Sequence, residues 1–287
     1  CILAFIIYRF GCDWIDIVLP PAAMGPVVAL IGLELSSSAA SDAGLLDEQI
    51  DPKNIIVFAV TLGVAVFGNI LFRGFLSVIP ILIAVIAGYV AAILCGIVDF
   101  TAVSEASVFA LPHFMLPRFS VEAIVTILPV LLVITSEHIG HQVVTSKIVG
   151  RDLLKEPGLH RSLLGDNLST AFSGLFGSVP TTTYGENIGV MASTKVYSTA
   201  AYWFASGFAL LLSLCPKFGA IINTIPAGVL GGVTTLLYGM IGTSGLRILV
   251  DKKVDYGKNR NLILTSVVFV AGLSGLTITI GAVSITG

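Results

Sequence analysis

Carboxylate and imidazole side chains occur in the middle of a very apolar sequence, where charge is costly and is usually kept for function. Glu137 and His141 are four positions apart and therefore share one face of a helix. In a low-dielectric setting, a carboxylate and an imidazole can stabilise each other's charged form and pass a proton. The alternative is a buried pair that only holds helices together, but an isolated pair of that kind is costly in a membrane.

A second acid, Glu186, follows Gly185 at the expected start of a short helix. The first N–H groups of a helix have no partner within it, so they attract carbonyl oxygens or anions. Together with Glu137, this region offers two carboxylate acceptors and several backbone donors. That set fits a small, flat, neutral molecule with alternating N–H and C=O groups, such as uracil. An anion fits less well, because two carboxylates would repel it unless they were protonated.

Residues 137–141 also superficially resemble the zinc motifs of proteases. Their order, Glu-His-Ile-Gly-His, is neither H-E-x-x-H nor H-x-x-E-H. His138 and His141 could share a metal ion, but no third ligand is evident. We therefore expect no metal site, no catalytic residue and no enzymatic activity, and we expect His138 to point towards a neighbouring helix. A further acid, Glu34, lies near the outer end of its predicted span, and we expect it to be interfacial.

The amino-acid composition indicates the surroundings in which these residues act. The 287 residues are 55% hydrophobic and 11% charged, and the mean hydropathy is +0.98. Soluble domains have about 25% charged residues, so we predict a polytopic membrane protein in contact with the lipid bilayer. The net charge of −2 implies no nucleic acid partner. The four cysteines are scattered without a CxxC pair, which argues against a disulfide framework or a metal cluster.

A helix needs about 20 apolar residues to cross the hydrocarbon core of a bilayer. The candidate spans lie at residues 1–9, 17–36, 54–72, 75–98, 121–146, 162–177, 199–216, 221–248 and 261–285. Most Lys and Arg residues lie in the loops at 147–161 and 247–260, which the positive-inside rule makes cytoplasmic. The sequence starts inside an apolar run without Met and stops in a span that reads as unfinished. We therefore expect an internal fragment of a longer transporter.

The sequence between the spans at 162–177 and 199–216 is too polar and too rich in glycine to be a span itself. Pro180 biases the preceding residue towards extended geometry, and the β-branched residues 181–183 disfavour a helix. Residues 184–195 then have the pattern of a half-helix. Broken backbone of this kind at membrane depth is tolerated where it is buried in protein or lines a cavity.

An internal similarity points to a repeated architecture. Residues 19–27 resemble residues 225–233, and both copies contain prolines and glycines within apolar runs. The first copy is predicted to run outward across the membrane and the second inward. Opposite orientations are what an inverted-topology repeat requires.

Residues 186–195 match a known signature, [Q/E]-N-x-G-x-x-x-x-T-[R/K/G]. The defined positions are occupied by Glu186, Asn187, Gly189, Thr194 and Lys195. The chain therefore resembles the nucleobase–ascorbate transporter family over essentially its whole length. Three further segments are similar to bacterial uracil permeases, namely residues 136–141, 152–162 and 254–256. Glu in place of Gln at position 186 favours this branch over the xanthine and urate branches.

The resemblance implies an all-α polytopic membrane protein with fourteen spans in two inverted sets of seven, arranged as a core domain and a gate domain. This chain would cover about spans 4–13. The implied parts are the end of core span 4 at 1–16, gate spans 5–7 at 17–98, an extracytoplasmic loop at 99–120, core spans 8–11 at 121–220 with the half-helix at 184–195, and gate spans 12–13 at 221–287. Residues 181–183 would form a short mid-membrane strand, whose partner strand would lie in a span that this sequence does not include.

The resemblance also implies proton-coupled uptake of uracil across the cytoplasmic (inner) membrane by alternating access, with the proton as coupling ion and no cofactor. His141 and Glu137 would couple the proton, and a homodimer is common in the family. The implied substrate-binding residues are Glu137, Glu186, Tyr184, Gly185 and Tyr238. Three alternatives stay open: a purine permease of the same family that carries xanthine or urate, an anion exchanger of the same architecture, and an intramembrane metalloenzyme.

Overall fold

The computed structural model is mainly helical and describes residues 2–11, 14–18, 20–112, 114–128, 130–275, 277–280 and 283–286. Its contacts divide the chain into two compact units. Unit 1 comprises Cys1–Glu34, Phe114–Ile188 and Ile241–Gly287, and unit 2 comprises Leu35–His113 and Gly189–Met240. Unit 1 combines segments that are predicted as core with segments that are predicted as gate, so the core and gate division stays a prediction.

The chain forms a series of α-helices. In chain order they are α1 (Ile2–Phe10), α2 (Ile15–Val18), α3 (Pro21–Glu34), α4 (Ser36–Asp42), α5 (Pro52–Leu71), α6 (Pro80–Leu94), α7 (Thr101–Glu105), α8 (Val121–Ile127), α9 (Val130–Val149), α10 (Leu159–Leu175), α11 (Gly185–Thr194), α12 (Thr199–Ser213), α13 (Pro216–Asn223), α14 (Ala227–Asp251) and α15 (Asn259–Leu273). A 3₁₀-helix covers Gly74–Val78 and a π-helix covers Leu154–Gly158. Helices α11 and α14 each continue from one unit into the other.

Several of these helices are long and apolar enough to cross a membrane. They are Pro21–Asp42, where α4 continues α3, together with α5 and α14. Helices α12 and α13 count as a fourth span if they are taken together, although they are bent by 88°. The bend precedes Pro216, the first residue of α13, where proline is well tolerated in a helix. These helices support the predicted class of integral membrane protein within the part of the chain that the structure describes.

Polar residues next to the apolar runs determine where three of the helices begin. Asp51 accepts a hydrogen bond from Lys53 N at 3.0 Å, and Pro52 follows as the first residue of α5. Ser120 and Ser198 accept hydrogen bonds from the first backbone N–H groups of α8 and α12 in the same way. Such N-terminal caps satisfy N–H groups that would otherwise have no partner.

Unit 1 has an apolar cluster between α1 and α10, made of the buried residues Ala4, Ile7, Leu159 and Leu163. Elsewhere in this unit, α3 packs closely on the end of α14. A Cβ added at Gly245 would lie 2.5 Å from Gly25 O, so glycine is required for the two backbones to approach. Thr265 on α15 donates a hydrogen bond to Ala22 O at 2.7 Å and thereby ties α15 to α3.

Unit 2 is organised around α5, which packs on α6 and on the first part of α14. Val57, Ala92 and Val229 form its core and are fully buried. Glycines on the two neighbouring helices lie against Thr61 of α5, namely Gly88 and Gly232. Glycine at these two positions lets the backbones of α6 and α14 lie directly against the side chain of Thr61, and small residues are common between helices in membranes.

The predicted span at 261–285 is only partly helical. Helix α15 ends at Leu273, and β1 (Thr277–Ile280) then pairs antiparallel with β2 (Val283–Thr286). Both strands consist mostly of β-branched residues, which favour strands over helices. Gly275 has a φ of +62° and separates the hairpin from the helix. The described part of the fold is otherwise helical.

Candidate functional site

Helix α9 carries polar residues on two adjacent faces. Glu137 and His141 are four positions apart on one face, and His138 and Gln142 are four positions apart on the next. Successive residues in a helix point about 100° apart, so the two pairs are directed at different neighbours. The contacts of His141 and His138 show which neighbours these are.

His141 connects α9 to the segment that leads into α11. Its Nδ1 lies 2.8 Å from Thr183 Oγ1, which is hydrogen-bonding distance. Gly185 opens α11 next to the other side of the imidazole, and a Cβ added there would lie 3.2 Å from His141 Nε2. Glycine at this position therefore lets the imidazole approach the first turn of α11. Glu137 is half-buried on the same face of α9 as His141.

The expected mid-membrane strand at residues 181–183 does not form in the structure. Residues 178–184 are neither helix nor strand. A strand needs a partner to complete its ladder of hydrogen bonds, and β1 and β2 pair only with each other in the described sheet. The β-branched residues keep this segment out of a helix, but they cannot make it a strand without a partner.

Two backbone carbonyls of this irregular segment accept hydrogen bonds from hydroxyl groups of α10. Thr170 Oγ1 donates to Thr181 O at 2.7 Å, and Ser173 Oγ donates to Val179 O at 3.0 Å. Backbone carbonyl groups at membrane depth need such partners, because water is absent from the hydrocarbon core of a bilayer. The hydroxyl of Thr182 is buried and has no hydrogen-bond partner among the described residues. A polar molecule bound beside this segment could supply one.

The first turn of α11 presents backbone donors. Gly185 and Glu186 are its first two residues, and the first N–H groups of a helix have no acceptor within it. Tyr184 immediately precedes the helix and is 64% exposed. The side chain of Glu186 lies outside the described part of the chain, so its predicted contact with substrate stays a prediction.

The remaining signature residues lie along α11 and at its end. Asn187 and Gly189 are exposed. Thr194 Oγ1 donates to Val190 O at 2.8 Å. Lys195 has a φ of +55°, in the left-handed region, and its N–H donates to Met191 O at 2.9 Å. In this structure the last two signature positions therefore form the C-terminal end of the half-helix.

The structure brings some of the predicted site residues together within unit 1. His141, Thr183 and Gly185 are in direct proximity, and Glu137 shares the helix face of His141. Tyr238 is half-buried on α14 and belongs to unit 2. Its predicted contribution to the substrate site stays a prediction.

The second polar face of α9 contacts α10. His138 is 1% exposed, and its Nε2 lies 2.7 Å from Ser162 Oγ. Gln142 Nε2 donates to the same Ser162 Oγ at 2.6 Å. Asp166 Oδ2 lies 3.6 Å from His138 Nδ1, and that nitrogen has no hydrogen-bond partner among the described residues. We call His138, Gln142, Ser162 and Asp166 the α9–α10 polar cluster.

Sequence reasoning alone did not single out Asp166, although it lies in the predicted span at 162–177. A charged residue within a predicted span was the signal that selected Glu137, and it applies equally to Asp166. Glu34, which was expected at an interface, is exposed at the end of α3. Within the described residues, no three His, Cys, Asp or Glu side chains are grouped closely enough to hold a metal ion.

The chain is similar to known membrane transport proteins along its whole length. A profile of the permease family matches residues 1–281. The chain is 54% identical over 290 residues to the uracil permease of Escherichia coli (strain K12), an alignment that covers 100% of this chain and 68% of that protein. It is 51% identical to the uracil permease of Paenibacillus larvae, in an alignment that covers 96% of this chain and 67% of that protein. It is 45% identical to the uracil permease of Bacillus subtilis, in an alignment that covers 96% of this chain and 66% of that protein.

Proposed function

Because the chain belongs to the permease family, we propose that the protein of which it is part takes up uracil across the cytoplasmic membrane. The observation that carries this proposal is the 54% identity to a uracil permease, which extends over 100% of the chain. The cytoplasmic membrane follows as the location from uptake into the cell. A homodimer, as is common among nucleobase–ascorbate transporters, is part of the same proposal.

The chemistry of the candidate site supports uracil as the substrate. In our proposal, Glu137 and Glu186 accept hydrogen bonds from the two ring N–H groups, and the first N–H groups of α11 donate to a uracil carbonyl. Tyr184 and Gly185 line the same site, and Tyr238 of α14 approaches the substrate from the gate. Two carboxylates and a helix start match the alternating donors and acceptors of a pyrimidine-dione.

We further propose that uptake is coupled to a proton and proceeds by alternating access. His141 bonds Thr183 beside the start of α11 and shares a helix face with Glu137, so its protonation acts on both substrate-binding elements. A charge on the imidazole would stabilise the carboxylate of Glu137. The proton is the coupling ion in this scheme, and the core domain then moves against the gate domain to open the site inward.

Uptake of labelled uracil by the full-length protein tests the function and the site. The host strain lacks its own uracil transport, and Glu137→Gln and Glu186→Gln are compared with Glu105→Gln, which changes an exposed residue of α7. We expect each site variant to lower uptake by about 10- to 100-fold, because a hydrogen bond to a charged group is lost. Undiminished uptake in both site variants would overturn the assignment of the site.

Competition and pH gradients distinguish the alternatives. Unlabelled uracil should compete at lower concentration than xanthine, urate or adenine, and stronger competition by a purine would indicate a purine permease. Exchange of an anion without uracil uptake would indicate an anion exchanger. Uptake by vesicles should rise when the outside is made more acidic than the inside, and a protonophore should abolish that rise. Uptake that does not change with the pH gradient would contradict proton coupling.

A further inference from the structure

The α9–α10 polar cluster lies one residue away from the proposed substrate site. Glu137 precedes His138, and His141 precedes Gln142, so each member of the site has a neighbour in the cluster. His138 and Gln142 both contact Ser162 of α10, whereas His141 contacts Thr183. A contact that fixes the second face of α9 therefore also fixes the direction of the first.

The donors and acceptors of the cluster can be assigned from their chemistry. The amide nitrogen of Gln142 only donates, so Ser162 Oγ accepts that bond. The carboxylate of Asp166, 3.6 Å from His138 Nδ1, favours the tautomer with hydrogen on Nδ1. His138 Nε2 is then an acceptor, and the hydroxyl of Ser162 donates its hydrogen to it across 2.7 Å. The hydroxyl of Ser162 thus joins both residues of α9 to α10.

We propose that His138 is a positioning residue for the substrate site, which fixes the rotation of α9 through Ser162 and so directs Glu137 and His141. This inference rests on the proposed function. His138 is 1% exposed and the single hydroxyl hydrogen of Ser162 is already engaged.

The geometry makes the substrate site sensitive to a small rotation. At the outer radius of a helix, a rotation of about 20° moves a side-chain end by about 2 Å. A displacement of about 1 Å at a reacting or binding group can reduce a rate by about 100-fold. The bonds to Ser162 resist such a rotation because two residues one turn apart share one oxygen. Non-directional apolar packing would resist it less.

Three variants of the full-length protein separate positioning from general packing. Ser162→Ala removes the shared oxygen. His138→Gln places an amide near the position of Nε2 and can still bond Ser162, whereas His138→Asn places its amide near Nδ1 and cannot. The matched control is Ser206→Ala on α12, because among the described residues the hydroxyl of Ser206 bonds only the carbonyl of Tyr202 in its own helix.

We expect Ser162→Ala and His138→Asn to raise the apparent KM for uracil by about three- to tenfold, which corresponds to one lost hydrogen bond. The maximal rate per folded transporter should change by less than about twofold, because the lost bond weakens the binding of uracil. Loss of folded protein alone would instead lower the total maximal rate at constant KM. His138→Gln should restore KM to within about twofold of the wild type. Equal KM values for all three variants and the Ser206→Ala control would overturn the proposal, as would failure of His138→Gln to rescue.

A spectroscopic measurement tests the cluster without substrate. Nitrogen NMR of ¹⁵N-histidine-labelled full-length protein in bilayers, with His138→Gln to assign the signal, should show hydrogen on Nδ1 and none on Nε2 of His138. Ser162→Ala should shift the Nε2 resonance, and a hydrogen found on Nε2 would contradict the assigned network. If wild-type protein neither transports nor binds uracil, the proposed function fails, whereas the NMR result still supports or refutes the network.

Discussion

Two helix interfaces of this protein are stabilised by different means. In unit 1, α9 meets α10 and the start of α11 through side-chain hydrogen bonds of His138, Gln142 and His141. In unit 2, α5 meets α6 and α14 through small residues, and Gly88 and Gly232 bring their helices against Thr61. The first interface is directional and polar, and the second is close-packed and mostly apolar.

The difference follows from what each interface has to do. Lipid tails are as apolar as leucine, so helices in a membrane gain little from the hydrophobic effect and associate through packing and interhelical hydrogen bonds. Close packing at glycines suits a rigid support. Directional bonds suit a place where carboxylate and imidazole groups must face a ligand. We therefore expect changes in the polar interface to affect uptake and changes in the glycine interface to affect stability.

The largest effect is expected at Gly185. In Gly185→Val, the new Cβ would lie 3.2 Å from His141 Nε2, and the branched side chain would displace the imidazole from Thr183. We expect uptake of uracil to fall by about 100-fold at an unchanged unfolding temperature. The control is Gly165→Val on α10, where a Cβ would meet no atom of the described residues within 4 Å. Equal uptake by the two variants would show that the polar interface does not depend on the close approach of His141 to Gly185.

The next effect concerns stability at a second close glycine contact of unit 2, between α14 and the end of α4. A Cβ at Gly231 would lie 2.5 Å from Ala43 N, and a backbone atom cannot easily move away. We expect Gly231→Ala to lower the free energy of unfolding by about 1–3 kcal/mol. Gly239→Ala on the same helix should not lower it, because a Cβ there has no neighbour within 4 Å in the part of the chain that the structure describes. Unfolding in detergent measures both variants. A Gly231→Ala protein as stable as Gly239→Ala would contradict the close contact.

A smaller loss of stability, which a second substitution should partly restore, is expected at Gly88. A Cβ added there would collide with the side chain of Thr61, which donates a hydrogen bond to Val57 O at 2.8 Å. Because Thr61 can rotate away and lose that bond, we expect Gly88→Ala to lower the free energy of unfolding by about 1 kcal/mol. Adding Thr61→Ala should restore part of the loss by making room. Additive effects of the two changes would show that the residues are not in contact.

The sequence predicted some parts of the site for reasons that hold at short range. Glu137 and His141 share a face because four residues make about one helical turn. The predicted half-helix at 184–195 corresponds to α11, Gly185–Thr194. The threonines at 181–183 and the glycine at 185 indicate where the backbone changes from irregular to helical. Composition alone predicted the membrane class, and apolar helices such as α5 and α14 support it.

Other features depend on partners distant in the chain. The hydroxyls of Thr170 and Ser173 satisfy the carbonyls that precede α11, and nothing in the local sequence of α10 marks them for that role. Residues 181–183 have strand propensity but form no strand, because a ladder needs a partner. The hairpin formed by β1 and β2 lies where hydropathy predicts the end of a span, since hydropathy does not distinguish β-branched strands from helices.

The sequence by itself determined that this chain is a membrane protein of the permease family and that acids and histidines lie within its spans. Those properties follow from composition, from local periodicity and from a signature of a few residues. Only the tertiary structure decided that His141 faces Thr183 while His138 faces Ser162 and Asp166. The rotation of a helix is set by what packs around it. Residues three positions apart point only about 60° apart, so His138 and His141 change neighbours when that rotation changes.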